Sequence, residues 1–361
     1  MSSTTVTTTP KYFAWEKIHS KNTARNLLKV HRNIVDVLAV LVRKAPGNQR
    51  QKRANENSAI VMSESVSSMV ENFPSEFDPV FYRASYPDLS KHSEEDLRLH
   101  YDTYGRQEGR CATSAVPREK FLSFITNYEN ALEIGPFNRP ILSGPRVKYF
   151  DVLATEELKA RAINLGQGPE GVPPIDFVSS SGSLKEVSPG FDVVVSAHCI
   201  EHQPDLIKHL CEVERLLCSG GCYCLIIPDC RYCFDHFLAP SNIADILDAH
   251  FEKRKKHTLA SVIEHRALTC HNDPQRHWDG DSGPQNLDAQ TVNNAIREWQ
   301  DADGAYVDVH AWQFTPQTFR QIVSLLNELG FSALEVARVY DTPFGSCEFY
   351  AVLNKQSRPV S

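Results

Sequence analysis

His198, Glu201 and His202 stand at i, i+3 and i+4 in the stretch Ser196-Ala197-His198-Cys199-Ile200-Glu201-His202. A helical turn would point all three to one side. Imidazole titrates near neutrality. His198, and less so His202, is therefore a candidate general base for a hydroxyl acceptor held within hydrogen-bond reach. His202 could instead cap or pack against the helix it begins. The three could also offer donors to a divalent metal. Three ligands without a fourth are not a site, and no metal is expected. Seven of the ten cysteines fall between Cys199 and Cys233, with one C-x-x-C, Cys230 to Cys233. Cys222 and Cys224 alternate along an apolar run, where cysteine acts as a small hydrophobe. Packing, rather than zinc, is expected of them.

The segment 230–314 is rich in polar and aromatic residues and holds seven of the fourteen histidines. About 85 residues are too many for a plain loop, so the segment must form its own structure. An insertion here would cap a site and choose its acceptor. His271 and His310 join His198 as candidate catalytic bases, and Arg231, His236 and His277 are candidate acceptor contacts. Each of these histidines could equally serve a hydrogen-bonded structural role. His271, Asp273, His277 and Asp279 could gather on a metal, but their spacing is not diagnostic.

These residues need elements to position them. Short apolar runs at 131–135, 147–152, 175–178, 191–198 and 222–229 alternate with helical or loop stretches, among them an amphipathic helix over 205–217. Strands apolar on both faces, separated by helices, predict a parallel sheet covered on both sides. A helix follows Thr315 as N-cap, with Pro316 at its first position and Gly330 near its end. The runs 334–340 and 347–353 then predict an antiparallel hairpin. The expected fold is α/β: a doubly wound, mostly parallel seven-stranded sheet with that C-terminal hairpin, a helical N-terminal region and a large insertion after strand five. A helix is also expected over 250–268.

In such a sheet the ligand sits beyond the carboxyl ends of the strands, at the switch point. Gly135 follows the first strand and lets backbone approach a ligand. Asp151 closes the second, where a carboxylate can accept two hydrogen bonds from a ribose diol. G-x-G-x-x-G and the P-loop are both absent, which disfavours a phosphate-binding dinucleotide or nucleotide site.

The ordered set LEIG, then Asp151, then FDVVVSAHCIEH, then LLCSGGCYCLIIPD resembles the class I methyltransferases that use S-adenosylmethionine, and within them the subfamily with small-molecule and sugar substrates. The resemblance covers residues 128–230 closely and about the last forty loosely. It implies a Rossmann-like methyltransferase fold with S-adenosyl-L-methionine as cofactor. By position, Glu133 and Gly135 match the first motif, whose loop, continued by Pro136 and Phe137, approaches the amino-acid part of the cofactor. Asp151 matches the acid on the ribose, and Ala197 with His198 the strand end facing the reactive methyl. Ser179 and Ser180 stand where an acid often meets the adenine amino group, and Phe137 replaces a second glycine. Both are departures. Related Glu-x-x-Glu-His patterns bind a divalent metal in certain O-methyltransferases and small-RNA-methylating enzymes; here the first Glu is His198. Residues 76–110, with the pattern FDPxxYxxxYPD…HYxxxGRxEGR, resemble a small module found beside glycosyltransferases, which points the acceptor toward a sugar or glycan.

The formal charge is -7, unevenly placed. Residues 1–53 hold 11 Lys/Arg against two acids, while the rest holds 27 against 43. Nucleic acid is therefore not an expected partner of the whole chain. Residues 22–44 read as a basic amphipathic helix that docks on its own protein or a partner, between a loosely ordered 1–20 and a linker over 45–75. A membrane-surface or transit helix is the alternative for 22–44. The expected organisation is 1–75 N-terminal region and linker, 76–115 small helical module, 116–355 methyltransferase domain with its 230–314 cap, and a tail over 356–361. No signal peptide and no spanning segment are evident, so a cytoplasmic protein with reduced thiols is expected. The favoured activity is O-methylation of a sugar, glycan or other small polar acceptor. A binding protein that kept the fold but lost methyl transfer, and an RNA or protein methyltransferase docking through the basic N-terminus, are the alternatives.

Overall fold

A computed structural model describes residues 69–355. The expected N-terminal helix, the loosely ordered 1–20 and the tail lie outside the described residues. β1 (Ala131–Ile134), β2 (Val147–Asp151), β3 (Phe177–Val178), β4 (Phe191–Ala197), β5 (Leu217–Pro228), β6 (Leu334–Tyr340) and β7 (Glu348–Lys355) form one sheet in the order β3-β2-β1-β4-β5-β7-β6. Neighbours from β3 to β5 pair parallel. β7 runs antiparallel to both β5 and β6 and sits between them. This is the expected doubly wound sheet with a reversed strand. Its chain order turns back between β1 and β4, which is where ligands bind in open α/β sheets.

Alternation along the strands divides the core in two. Val194, Leu225, Ile227 and Phe349 meet the helix Leu206–Leu216 and the helix Pro316–Glu328 through Leu210, Val213, Phe319 and Val323. The opposite set, Val193, Val195, Cys222, Cys224 and Val352, meets Phe73 and Phe121. Cys222 and Cys224 are thus core residues, as expected, and no two of the ten cysteines are joined in a disulfide. The Asp205 side chain accepts from the Lys208 N–H to start the first of these helices, and Thr315 caps the second through the Thr318 N–H.

Three differences from expectation have local causes. Met69 and Phe73 are buried, and the Phe73 ring lies 5.4 Å from Phe121, so the linker ends before 69. The helix expected over 250–268 is two helices, Ile243–Phe251 and Leu259–Ala267. Lys253 takes a positive φ of 56°, and Thr258 caps a new start by accepting from the Ser261 N–H. The small module is docked within the same compact unit as the sheet. Arg106 pairs with Asp341 at 2.7 Å, and Glu76 accepts from the Val339 N–H at 2.7 Å. No helix among the described residues is long and apolar enough to cross a membrane.

Candidate active site

A cavity of about 320 Å³ opens beyond the carboxyl ends of β1, β2 and β4. Gly135, Phe137, Asp151, Ala197 and His198 line it, five of the residues expected there, together with Ile134, Phe150 and Leu158 as its apolar wall. Gly135 has a φ of +69°, and a Cβ there would stand 2.5 Å from Cys199 Sγ. Only glycine leaves that approach open. Phe137, which replaces a second glycine of the usual motif, also takes a left-handed φ of 44° and lays its ring 5.8 Å from the Arg161 guanidinium. Asp151 is buried and its Oδ1 accepts from the Leu153 N–H at 3.2 Å. Burial raises its pKa, against the backbone N–H groups around it.

His198 follows β4 in a left-handed conformation, φ 52°. Such strain in a non-glycine residue persists only where the surroundings fix it. Here Glu348, at the start of β7, binds His198 Nε2 at 2.7 Å, and Arg118 holds the same carboxylate oxygen at 2.6 Å. Burial opposes charge on His198, yet the Glu348 hydrogen bond and the negative charges of Glu201 and Glu348 outweigh it and raise its pKa. Under the cavity, Ser196 Oγ, Tyr223 Oη and His209 Nε2 form a buried chain with links of 2.7 and 3.0 Å. Burial lowers the pKa of His209 to about 4, so its ring is neutral at pH 7.

The remaining expectations fall elsewhere. The Glu133 carboxylate is turned to the backbone N–H groups of Ile141 and Leu142, at 2.8 and 2.9 Å, and stands outside the cavity lining. It fixes the loop that carries Pro136 and Phe137. Pro136 is buried and outside the lining, and Ser179 and the exposed Ser180 lie outside it too; the Ser179 hydroxyl meets that of Ser181. His271 and His236 flank His277 in a stack, with ring centroids 4.2 and 5.0 Å from it, away from the cavity. His271 Nε2 meets the Asp281 carbonyl, and His236 Nε2 meets the Ser282 hydroxyl. Asp273 spends its carboxylate capping a short helix. Arg231 pairs with Asp229 at 2.6 Å beside a separate cavity against the small module. His310 is buried behind His202, with Nδ1 on Asp235 at 2.6 Å.

Sequence reading missed Arg161, Tyr306 and Asp308, which also line the cavity. Asp308 binds Arg161 at 2.6 Å and His202 at 3.1 Å. The hydrogen bond from His202, joined by Arg161, keeps its carboxyl well below the usual range. Tyr306 and Asp308 belong to the polar and aromatic segment 230–314, whose composition marks the segment but not which of its residues wall the cavity. Arg161 sits in a helix, Thr155–Asn164, with nothing local to mark it.

Residues 151–225 match a family model described as a methyltransferase domain. No curated protein matches the sequence. Among solved structures, an S-adenosylmethionine-dependent methyltransferase from Clostridium acetobutylicum ATCC 824 is 11% identical, with 73% of this chain and 99% of that chain covered at a TM-score of 0.36. The CcbJ methyltransferase from Streptomyces caelestis is 12% identical, covering 67% and 98%, at 0.35. The mitomycin 7-O-methyltransferase MmcR is 10% identical, covering 77% and 60%, at 0.32. The strand ends fit a nucleoside cofactor: a glycine that a Cβ would block, a buried carboxylate at the end of β2 and an apolar wall between them. Residues 151–225 thus resemble a methyltransferase domain, set in a sheet of Rossmann-like strand order.

Proposed function

We propose that the protein transfers a methyl group from S-adenosyl-L-methionine to a hydroxyl of a sugar, glycan or other small polar molecule, with His198 as the base. The observation that carries this reading is His198 itself, held by Glu348 at the end of β4 and facing the same cavity as Asp151. The cofactor supplies a methyl group already activated on a sulfonium. The protein's part is then positioning and proton removal. Asp151 binds the ribose hydroxyls, and Gly135 and Phe137 shape the entrance on the β1 side. His198 takes the acceptor proton, and Glu348 orients its ring, as a carboxylate orients a catalytic imidazole in other acyl- and group-transfer sites. The module at 76–115 supports the glycan reading through its sequence pattern.

Calorimetry with S-adenosylmethionine and S-adenosylhomocysteine tests the reading. Binding of both at one site per chain is expected. Absence of binding to either would overturn it and leave a fold that has lost the activity.

A further inference from the structure

We propose that Glu201, His202 and His310 form a divalent transition-metal site in the wall of the cavity, with His310 supplied by the insertion. Glu201 is 0% exposed, and neither of its carboxylate oxygens has a hydrogen-bond partner. A buried carboxylate without donors is costly, and such groups are normally paired or bound to metal. Three imidazole nitrogens surround Glu201 Oε1 instead: His202 Nε2 at 3.7 Å, His198 Nδ1 at 3.7 Å and His310 Nε2 at 3.9 Å. The donor atoms of Glu201, His202 and His310 lie within 4.8 Å of one another. Ligands at about 2.1 Å from one tetrahedral metal stand roughly 3.4 Å apart, so the two Glu201 contacts would need to close by only a few tenths of an ångström, and the two imidazoles by at most about 1.4 Å.

The other ring nitrogens strengthen the argument. His202 Nδ1 faces Asp308 at 3.1 Å, His310 Nδ1 faces Asp235 at 2.6 Å, and His198 Nε2 faces Glu348 at 2.7 Å. A carboxylate stands behind each imidazole, hydrogen-bonded to His310 and His198 and paired with His202, and aims the nitrogen on the other side, the arrangement that metal-binding histidines usually show. The backbone holds the insertion in register, because the Ala311 and Trp312 N–H groups both donate to the Glu201 carbonyl, at 2.7 and 3.1 Å. Imidazole and carboxylate donors suit zinc, iron, nickel or copper better than calcium. Of the three ligands His202 lines the cavity, so the metal's remaining position would face the acceptor side.

The test uses the full chain, stripped with chelator, dialysed, and titrated with Zn²⁺ and with Co²⁺. Uptake of one equivalent per chain is expected. Glu201→Gln and His310→Asn, shown folded by circular dichroism, should each weaken uptake at least tenfold, while Cys230→Ala with Cys233→Ala leaves it unchanged. Absence of stoichiometric uptake overturns the proposal. Uptake that survives both ligand variants, or that vanishes with the two cysteines, overturns it as well. If either ligand variant fails to fold, the wild type decides: Co²⁺ must shift the imidazole NMR resonances of His202 and His310, and unshifted resonances sink the assignment. The readout is metal uptake, independent of methyl transfer.

Discussion

Glu348, on the last strand of the sheet, grips the imidazole of His198 at 2.7 Å across 150 residues of sequence. Strand β7 therefore does more than pair with β5 and β6: it carries the carboxylate that keeps a strained residue of β4's end aimed into the cavity. Glu348→Gln removes a charge that favours the protonated ring, while burial, which opposes it, remains. The pKa of His198 should fall, read by its imidazole NMR shifts across pH in the metal-free protein. An unchanged titration would show that Glu348 does not govern the ring.

Asp151→Ala should weaken S-adenosylmethionine binding. Hydrogen bonds to a charged group contribute about 1.5–3 kcal/mol, so a loss of about tenfold to a hundredfold is expected by calorimetry, with the fold intact by circular dichroism. An unchanged affinity would remove Asp151 from the ribose.

Gly135→Ala meets two penalties, a φ of +69° and a Cβ only 2.5 Å from Cys199 Sγ. Together these should cost about 1–3 kcal/mol of unfolding free energy. In a Cys199→Ala background the clash is gone, and only the backbone share, about 1 kcal/mol, should remain. Chemical denaturation of the four proteins of this cycle separates the two terms. Equal costs in both backgrounds would show that the sulfur is not the obstacle.

Glu133 should make stability depend on pH in an unusual direction. Burial raises its pKa from 4.5 to about 7, against the N–H groups of Leu142 and Ile141. A carboxyl raised in the folded state stabilises most when protonated, below pH 4.5, and that share is lost as pH rises through about 7. The difference in unfolding free energy between wild type and Glu133→Gln should therefore shrink by about 3 kcal/mol over that window and level off above it. A difference that is flat with pH would show that Glu133 is ionised at little cost.

The sequence by itself determined the strands, their order of apolar runs and the strand-end residues Gly135, Asp151, Ala197 and His198. Period-two and period-3.6 patterns are local, and a ligand at the ends of parallel strands inherits its position from them. Even the departure at Phe137 was legible, although its left-handed backbone was not. Tertiary structure alone decided the rest. Glu133 belongs to a strand whose apolar neighbours fix its register, but only the return of the 139–142 loop shows where its carboxylate goes. The insertion's histidines looked alike in sequence; folding stacked His236, His277 and His271 together and sent His310 behind Glu201. Asp308 and Glu348 reach His202 and His198 from 106 and 150 positions away. Side-chain pairs at such separations follow from how helices and strands pack, and no local period records them.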